Sequence, residues 1–244
     1  MRIRSYFLIA GAVFMSLAVA LAGFVLVERW RYSLGRPVFA AAFPPVKNWK
    51  TVKIGLVRTF CLGECPDYSV EIDGDGTVRY LGREHVFVPG RHRTHIPPDA
   101  VRALFRKFQQ SAFFSTFDEY YGGALDTPTT TVSLSFDGHN KKLWHASGGM
   151  TNMPPEIVDL EHAIDDAANT KLWVKGEGDI FATLVAEHWD FHASDDEHSQ
   201  VLENAAHRRD AVLVKKLVAA GMNGAIVDRA LYMTPLPYVP EPLR

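Results

Sequence analysis

From Tyr6 to Val27 the chain runs 22 residues without a charged side chain. As a helix rising ~1.5 Å per residue this run would reach about 33 Å, enough for a hydrocarbon core of about 30 Å. Arg2 and Arg4 precede it, and Glu28, Arg29, Trp30, Arg31 and Tyr32 follow it, the two aromatics suiting an interfacial belt. Ala20-Leu21-Ala22 has the form of a signal-peptide cleavage site, yet Phe24 to Val27 keeps the run apolar beyond it. The apolar part of a signal peptide is usually ~7–15 residues. The reading is therefore an uncleaved signal anchor over residues 1–32, with the membrane as its partner. No cysteine follows the run, which excludes a lipoprotein attachment site. Arg29, Arg31 and Arg36 nearly balance the positive-inside count, and a short polar N-terminus before a long domain favours export of that domain.

Residues 33–50 carry Pro37, Pro44 and Pro45 and read as a linker. The chain's formal net charge of −2 is a sum of unlike parts. Residues 1–36 hold five arginines against one glutamate, +4, which leaves −6 for the remainder. An acidic domain offers no field for nucleic acid, which is excluded as a partner. Two cysteines are too few for a disulfide scaffold.

Residues 51–176 read as one α+β domain, a small, mostly antiparallel sheet with two packed helices. Val52 to Phe60 is rich in strand-forming residues. Tyr68, Val70 and Ile72 alternate with polar residues, Asp73-Gly74-Asp75-Gly76 is a turn, and Thr77 to Leu81 returns. Val86-Phe87-Val88 suggests a further short strand. Thr131 to Phe136 and Lys141 to His145 flank the turn Asp137 to Asn140. Pro97-Pro98 and Pro154-Pro155 open two helices; Val101, Leu104, Phe105 and Phe108 line one face of the first, and Ile157, Leu160, Ala163, Ile164 and Ala167 that of the second.

The stretch Cys61-x-Gly63-x-Cys65-Pro66-x-Tyr68, with the Gly-Asp-Gly hairpin after it, resembles the bacterial domain-of-unknown-function family 6438. The resemblance runs from about Val52 to Trp173 and takes in Tyr120-Tyr121, Asp126-Thr127-Pro128 and the Pro-Pro-Glu helix. It implies a fold and an organisation, with no assigned reaction. A bacterial source makes the expected location the inner membrane, single-pass, with the soluble part in the periplasm.

Residues 177–244 contain an internal repeat. Leu184-Val185-Ala186 recurs as Leu217-Val218-Ala219, and Asp195 as Asp228, at an offset of 33. With Leu202 to Asp210 leading into Val214 to Gly221, the tail resembles an ankyrin helix–turn–helix unit, and Thr234-Pro235-Leu236 the opening of another. Arg209 stands where that pattern usually has glycine. The array is incomplete, since about three units are needed to bury a continuous core. Such a tail would dock on the middle domain or on a protein partner, and Arg208, Arg209, Lys215 and Lys216 are its candidate partner-binding residues.

Cys61 and Cys65 would form a disulfide outside the cytosol if their Cα atoms lie within about 4.4–6.8 Å. The alternative is a thiol-based copper, zinc or redox site, for which His92 and His95 are the candidate additional ligands. The Cys-x-x-x-Cys spacing departs from the Cys-x-x-Cys redox motif, His92 and His95 are spaced more tightly than the usual zinc pair, and Arg91 to His95 reads as a solvated basic loop. Asp73 to Gly76 imitates part of a calcium loop but lacks its bidentate glutamate, position 12 falling on Gly82. No nucleophile-elbow, zincin or phosphate-loop motif occurs, so no catalytic residue and no cofactor are assigned. The reading is an exported, membrane-anchored and non-catalytic binding or structural module whose tail engages protein.

Overall fold

Apolar alternation in three successive segments, followed by a basic edge segment, builds a meander, and a hairpin from later in the chain completes the sheet beside it. The computed structural model describes residues 15–27, 42–123, 126–146 and 152–227. The strands are β1 (Lys53–Arg58), β2 (Asp67–Asp73), β3 (Thr77–Glu84), β4 (Gly90–His95), β5 (Glu119–Tyr120), β6 (Thr129–Phe136) and β7 (His139–Ala146). Their order is β4-β3-β2-β1-β6-β7-β5, antiparallel throughout except for the short β5–β7 pair. At the β2–β3 turn the Asp75 carboxylate accepts from the Thr77 N–H, and Gly76 takes a φ of +96° in a place where a Cβ would lie 2.0 Å from the Ile96 carbonyl oxygen.

Period two divides the sheet into two faces. Ile54, Leu56, Val70, Ile72, Val78, Val132, Leu134 and Leu143 point inward beneath α2 (Pro98–Gln110) and α3 (Pro155–Ala168). Val101, Leu104, Phe105 and Phe108 of α2, and Ile157, Leu160 and Ile164 of α3, fill that core as the helical spacing predicts. Both helices begin at a proline, whose fixed φ and missing N–H suit the first helical position. Asn169, with a φ of +52°, ends α3 and separates it from α4 (Thr170–Lys175).

A second core joins the tail to the sheet. Tyr68, Tyr80, Val86, Phe87 and Val88 pack with Trp173 of α4 and with buried residues of α5 (Ile180–Ala186), α6 (Asp196–His207) and α7 (Ala211–Ala220). Val86 to Val88 is therefore not a strand. It is a buried loop whose Phe87 and Val88 N–H groups donate to the Val174 and Trp173 carbonyls, while the Asn204 side-chain amide caps the Val86 and Phe87 carbonyls. Arg91 to His95, which also reads as a loop, is instead the edge strand β4.

The 33-residue offset is repeated hydrogen bond by hydrogen bond. Trp189 N–H donates to Leu184 and Met222 N–H to Leu217; His188 donates to Val185 and Gly221 to Val218. The Asp190 side chain accepts from His192 N–H just as Asn223 accepts from Ala225 N–H. His188 and Gly221 both take positive φ, and Leu184 and Leu217 are both fully buried. The chain is helical again at 225–227, while Asp228 and the Thr234 motif lie outside the described residues.

Residues 15–27 form helix α1, exposed along its length. Among the described residues no helix is long and apolar enough to cross a membrane. The first part of the apolar run, 6–14, lies outside them.

The chain enters the sheet under the hold of one carboxylate. Asp137, in the β6–β7 turn, accepts from Lys47 N–H at 2.5 Å, from Asn48 N–H at 3.2 Å and from the Thr51 hydroxyl at 2.9 Å. The Lys47 N–H first, and then the Thr51 hydroxyl, hold its pKa below the ordinary value of 3.8. A group whose folded pKa is depressed stabilises fully above its unfolded pKa and loses that contribution as pH falls through the folded one. Amide exchange at Lys47 and Asn48, corrected for the intrinsic rate, should therefore accelerate below about pH 4. Asp137→Asn should show fast exchange with no such pH step; equal protection in both proteins would refute the tie.

Candidate functional site: a charged cluster under the disulfide loop

Arg58 occupies an inward position of β1, two residues beyond the core side chains of Ile54 and Leu56, where alternation would otherwise place an apolar residue. Its guanidinium is held on every side. Nε donates to the Tyr68 hydroxyl at 3.0 Å, Nη1 to Thr130 Oγ1 at 3.3 Å and Glu161 Oε2 at 3.1 Å, and Nη2 to Asp165 Oδ2 at 2.9 Å. The Tyr68 hydroxyl in turn donates to Asp165 Oδ1 at 2.7 Å, and the Thr170 hydroxyl donates to the same oxygen at 2.8 Å. Glu161 and Asp165 stand four residues apart on α3 and so share one helix face. The other Glu161 oxygen meets His145 Nε2 at 2.6 Å; both side chains are buried, at 3% and 7% exposure.

Burial opposes the charge on Arg58, but the facing Tyr68, Asp165 and Glu161 oxygens outweigh it and hold the guanidinium pKa above its ordinary value. Burial, reinforced by the Asp165 charge, pushes the Tyr68 phenol up as well. Tyr68 is thus a neutral donor at physiological pH, and Arg58 a permanent cation facing two carboxylates.

The cluster floors a cleft of about 580 Å³ that Cys65, Pro66, Pro128, Lys171 and Lys175 also line. Cys61 and Cys65 form a disulfide at its lip, with Cα atoms 5.5 Å apart. Above the cleft the pinned loop exposes Phe60 and Leu62, the latter at 87%. Thr59 ties the loop's base to β6, its N–H donating to the Thr129 carbonyl and its hydroxyl lying 2.9 Å from the Thr129 hydroxyl.

The other candidates from the sequence do not gather here. His92 and His95 fall on opposite faces of β4, His92 buried and His95 exposed. The His92 ring stacks on Trp173 with centroids 4.5 Å apart; its Nδ1 meets Glu187 Oε2 at 2.8 Å and its Nε2 the Pro89 carbonyl at 3.0 Å. It is a tie between β4 and the end of α5, and both of its nitrogens are engaged. Among the described residues no three His, Cys, Asp or Glu side chains converge as metal ligands. Arg208 lies over the Phe87 ring at 4.9 Å and donates to the Lys175 carbonyl, so it braces the tail. Arg209 takes a φ of +57°, which is why glycine is usual at that position. Lys215 and Lys216 are exposed on α7, and Lys216 sits over the Phe181 ring.

Residues 52–168 match the family described as Domain of unknown function (DUF6438). The DUF6438 match spans β1 through α3 and so holds Arg58, the disulfide, Tyr68, His145, Glu161 and Asp165. Helices α4 to α7 lie beyond it. No curated protein matches the chain.

Arg58, Glu161 and Asp165 are the residues that pattern reading passes over, while His145, a strand histidine, is hydrogen-bonded in the core. A signal was present: a cation at an inward strand position, and a carboxylate at 161 beside Leu160 and Ile164 on an apolar helix face. Arg58, Tyr68, Glu161, Asp165, Thr170 and His145 each meet a partner inside the cluster.

Proposed function

We propose that this chain is a membrane-tethered, exported binding module that acts through its surfaces and does no covalent chemistry. The closed hydrogen-bond circuit of Arg58, Tyr68, Asp165 and Glu161 carries this reading, because a general acid or base must have a proton to exchange with substrate. The cleft above it is of ligand size. The Cys61–Cys65 bond supports an oxidising compartment, and the apolar run from Tyr6 to Val27 supports a tether in the bacterial inner membrane with the domain in the periplasm. The tail, with its ankyrin-like repeat, extends the domain as a protein-interaction surface.

The test combines topology with redox state. Protease added to intact spheroplasts should digest the domain, and the unreduced, denatured protein should release no free thiol. A domain protected until the cells are broken, or two reactive thiols per chain, would overturn the reading.

A further inference from the structure

The second face of the sheet is open: among the described residues no helix packs on it. Across it runs a furrow of about 610 Å³, lined by outward residues of five adjacent strands. Its floor is small and hydroxylated at one end, with Gly55 of β1, Ser69 of β2 and Ser133 of β6. The close approach of Gly55 and Ser133 makes the hollow, since a Cβ on Gly55 would lie 2.5 Å from Ser133 Oγ. Val57 and Leu81 give the floor two half-buried aliphatic contacts.

The other end is cationic. Arg79 is neutralised by Glu71 and Asp73, and Lys53 by the same carboxylates. Arg91 and Arg93, neighbours on one face of the edge strand β4, are exposed and carry no ion pair among the described residues. Two such arginines stand out on a chain whose net charge beyond residue 36 is −6.

We propose that this furrow binds a short, extended, acidic peptide segment of a partner protein, with carboxylates at Arg91 and Arg93 and small or aliphatic side chains over Gly55, Val57 and Leu81. Five strands at about 4.8 Å spacing span about 19 Å, the length of some six extended residues at ~3.3 Å each. Arginine forks match carboxylates in bidentate geometry. A hollow floored by serine and glycine suits an inserted chain better than it suits a flat lipid surface, which would engage the arginines alone. The inference rests on the binding-module reading above and names the partner of that module; it can fail while the topology and thiol results still stand.

The experiment uses the full chain in nanodiscs of zwitterionic lipid and a fluorescein-labelled Ala-Val-Gly-Ala-Glu-Glu peptide. Anisotropy should report saturable binding that weakens with salt, and the Arg91→Gln/Arg93→Gln variant should lose at least tenfold in affinity. Both arginines are solvent-exposed, so the variant should keep its circular dichroism spectrum and melting temperature. Hydrogen exchange with bound peptide should show protection in β1, β3 and β6 around Gly55, Leu81 and Ser133. Absence of binding at millimolar peptide, binding indifferent to the double substitution, or protection centred on Lys171 and Lys175 would overturn the proposal. So would binding of the wild-type protein to phosphatidylglycerol vesicles through the two arginines with no protection at Gly55 and Ser133.

Discussion

Arg58→Met is expected to lower the stability of the folded domain by about 3–5 kcal/mol, the usual cost of removing one partner from a buried charge pair. The substitution keeps most of the side chain's length, so the loss is electrostatic rather than a cavity. It removes the guanidinium that faces both Glu161 and Asp165, leaving His145 beside Glu161 and, among the described residues, no ion-pair partner for Asp165. Glu161 is 3% exposed and cannot turn to water for compensation. At about 2–4 °C per kcal/mol for a chain of this size, the melting temperature should fall by about 6–20 °C. Adding Glu161→Gln and Asp165→Asn to Arg58→Met should restore part of the loss, because a neutral cluster no longer buries an uncompensated charge. Arg58→Lys should fall between, since an ammonium keeps the charge but cannot serve Tyr68, Thr130, Glu161 and Asp165 together. Urea denaturation of the four proteins is the measurement. A loss under 1 kcal/mol in Arg58→Met would show that the cluster is solvated and does not hold the cleft floor.

The second large effect belongs to the tail. Deleting residues 195–244 should destabilise the part that matches DUF6438, although it removes none of the matched residues. Val201, Leu202, Ala205 and Leu217 are fully buried and cover Val86, Phe87, Val88 and Leu184. Uncovering a large apolar side chain costs about 1.5–3 kcal/mol. Partial exposure of these four should therefore cost about 5 kcal/mol, which corresponds to about 10–20 °C in melting temperature. Leu202→Asp, at full chain length, should act in the same direction by burying an unpaired carboxylate. An unchanged melting temperature in both proteins would show that the sheet domain is stable without its tail.

Much of the sheet was legible because one face of it is buried. Alternation in Tyr68-Val70-Ile72 and Val132-Leu134-Phe136, and the 3-4 spacing in Val101 to Phe108, report the side that meets the core. β4 escaped because its inward residues are Gly90, His92 and Thr94, so Gly-Arg-His-Arg-Thr-His shows no apolar alternation. The inward place of His92 depends on Trp173 and Glu187, more than 80 residues away in the chain. Val86-Phe87-Val88 erred in the opposite sense. It has strand composition, yet its backbone pairs with the end of α4 and the Asn204 amide rather than with another strand.

The cluster at Arg58 shows the same division. Cys61, Cys65 and Tyr68 are marked by local pattern, since only three residues lie between the two cysteines and a disulfide across a turn is a local matter. Glu161 and Asp165 lie 103 and 107 positions from Arg58, and nothing local couples them to it. By itself the sequence determined the apolar run near the N-terminus, the two faces of the strands, the proline starts of α2 and α3, and the 33-residue period of the tail, because each of these depends on residues within a few turns of one another. That two carboxylates of α3 meet a guanidinium of β1, that the tail closes over Val86 to Val88, and that no described helix covers the second sheet face emerge in the folded chain alone, because those outcomes depend on which distant surfaces exclude water together.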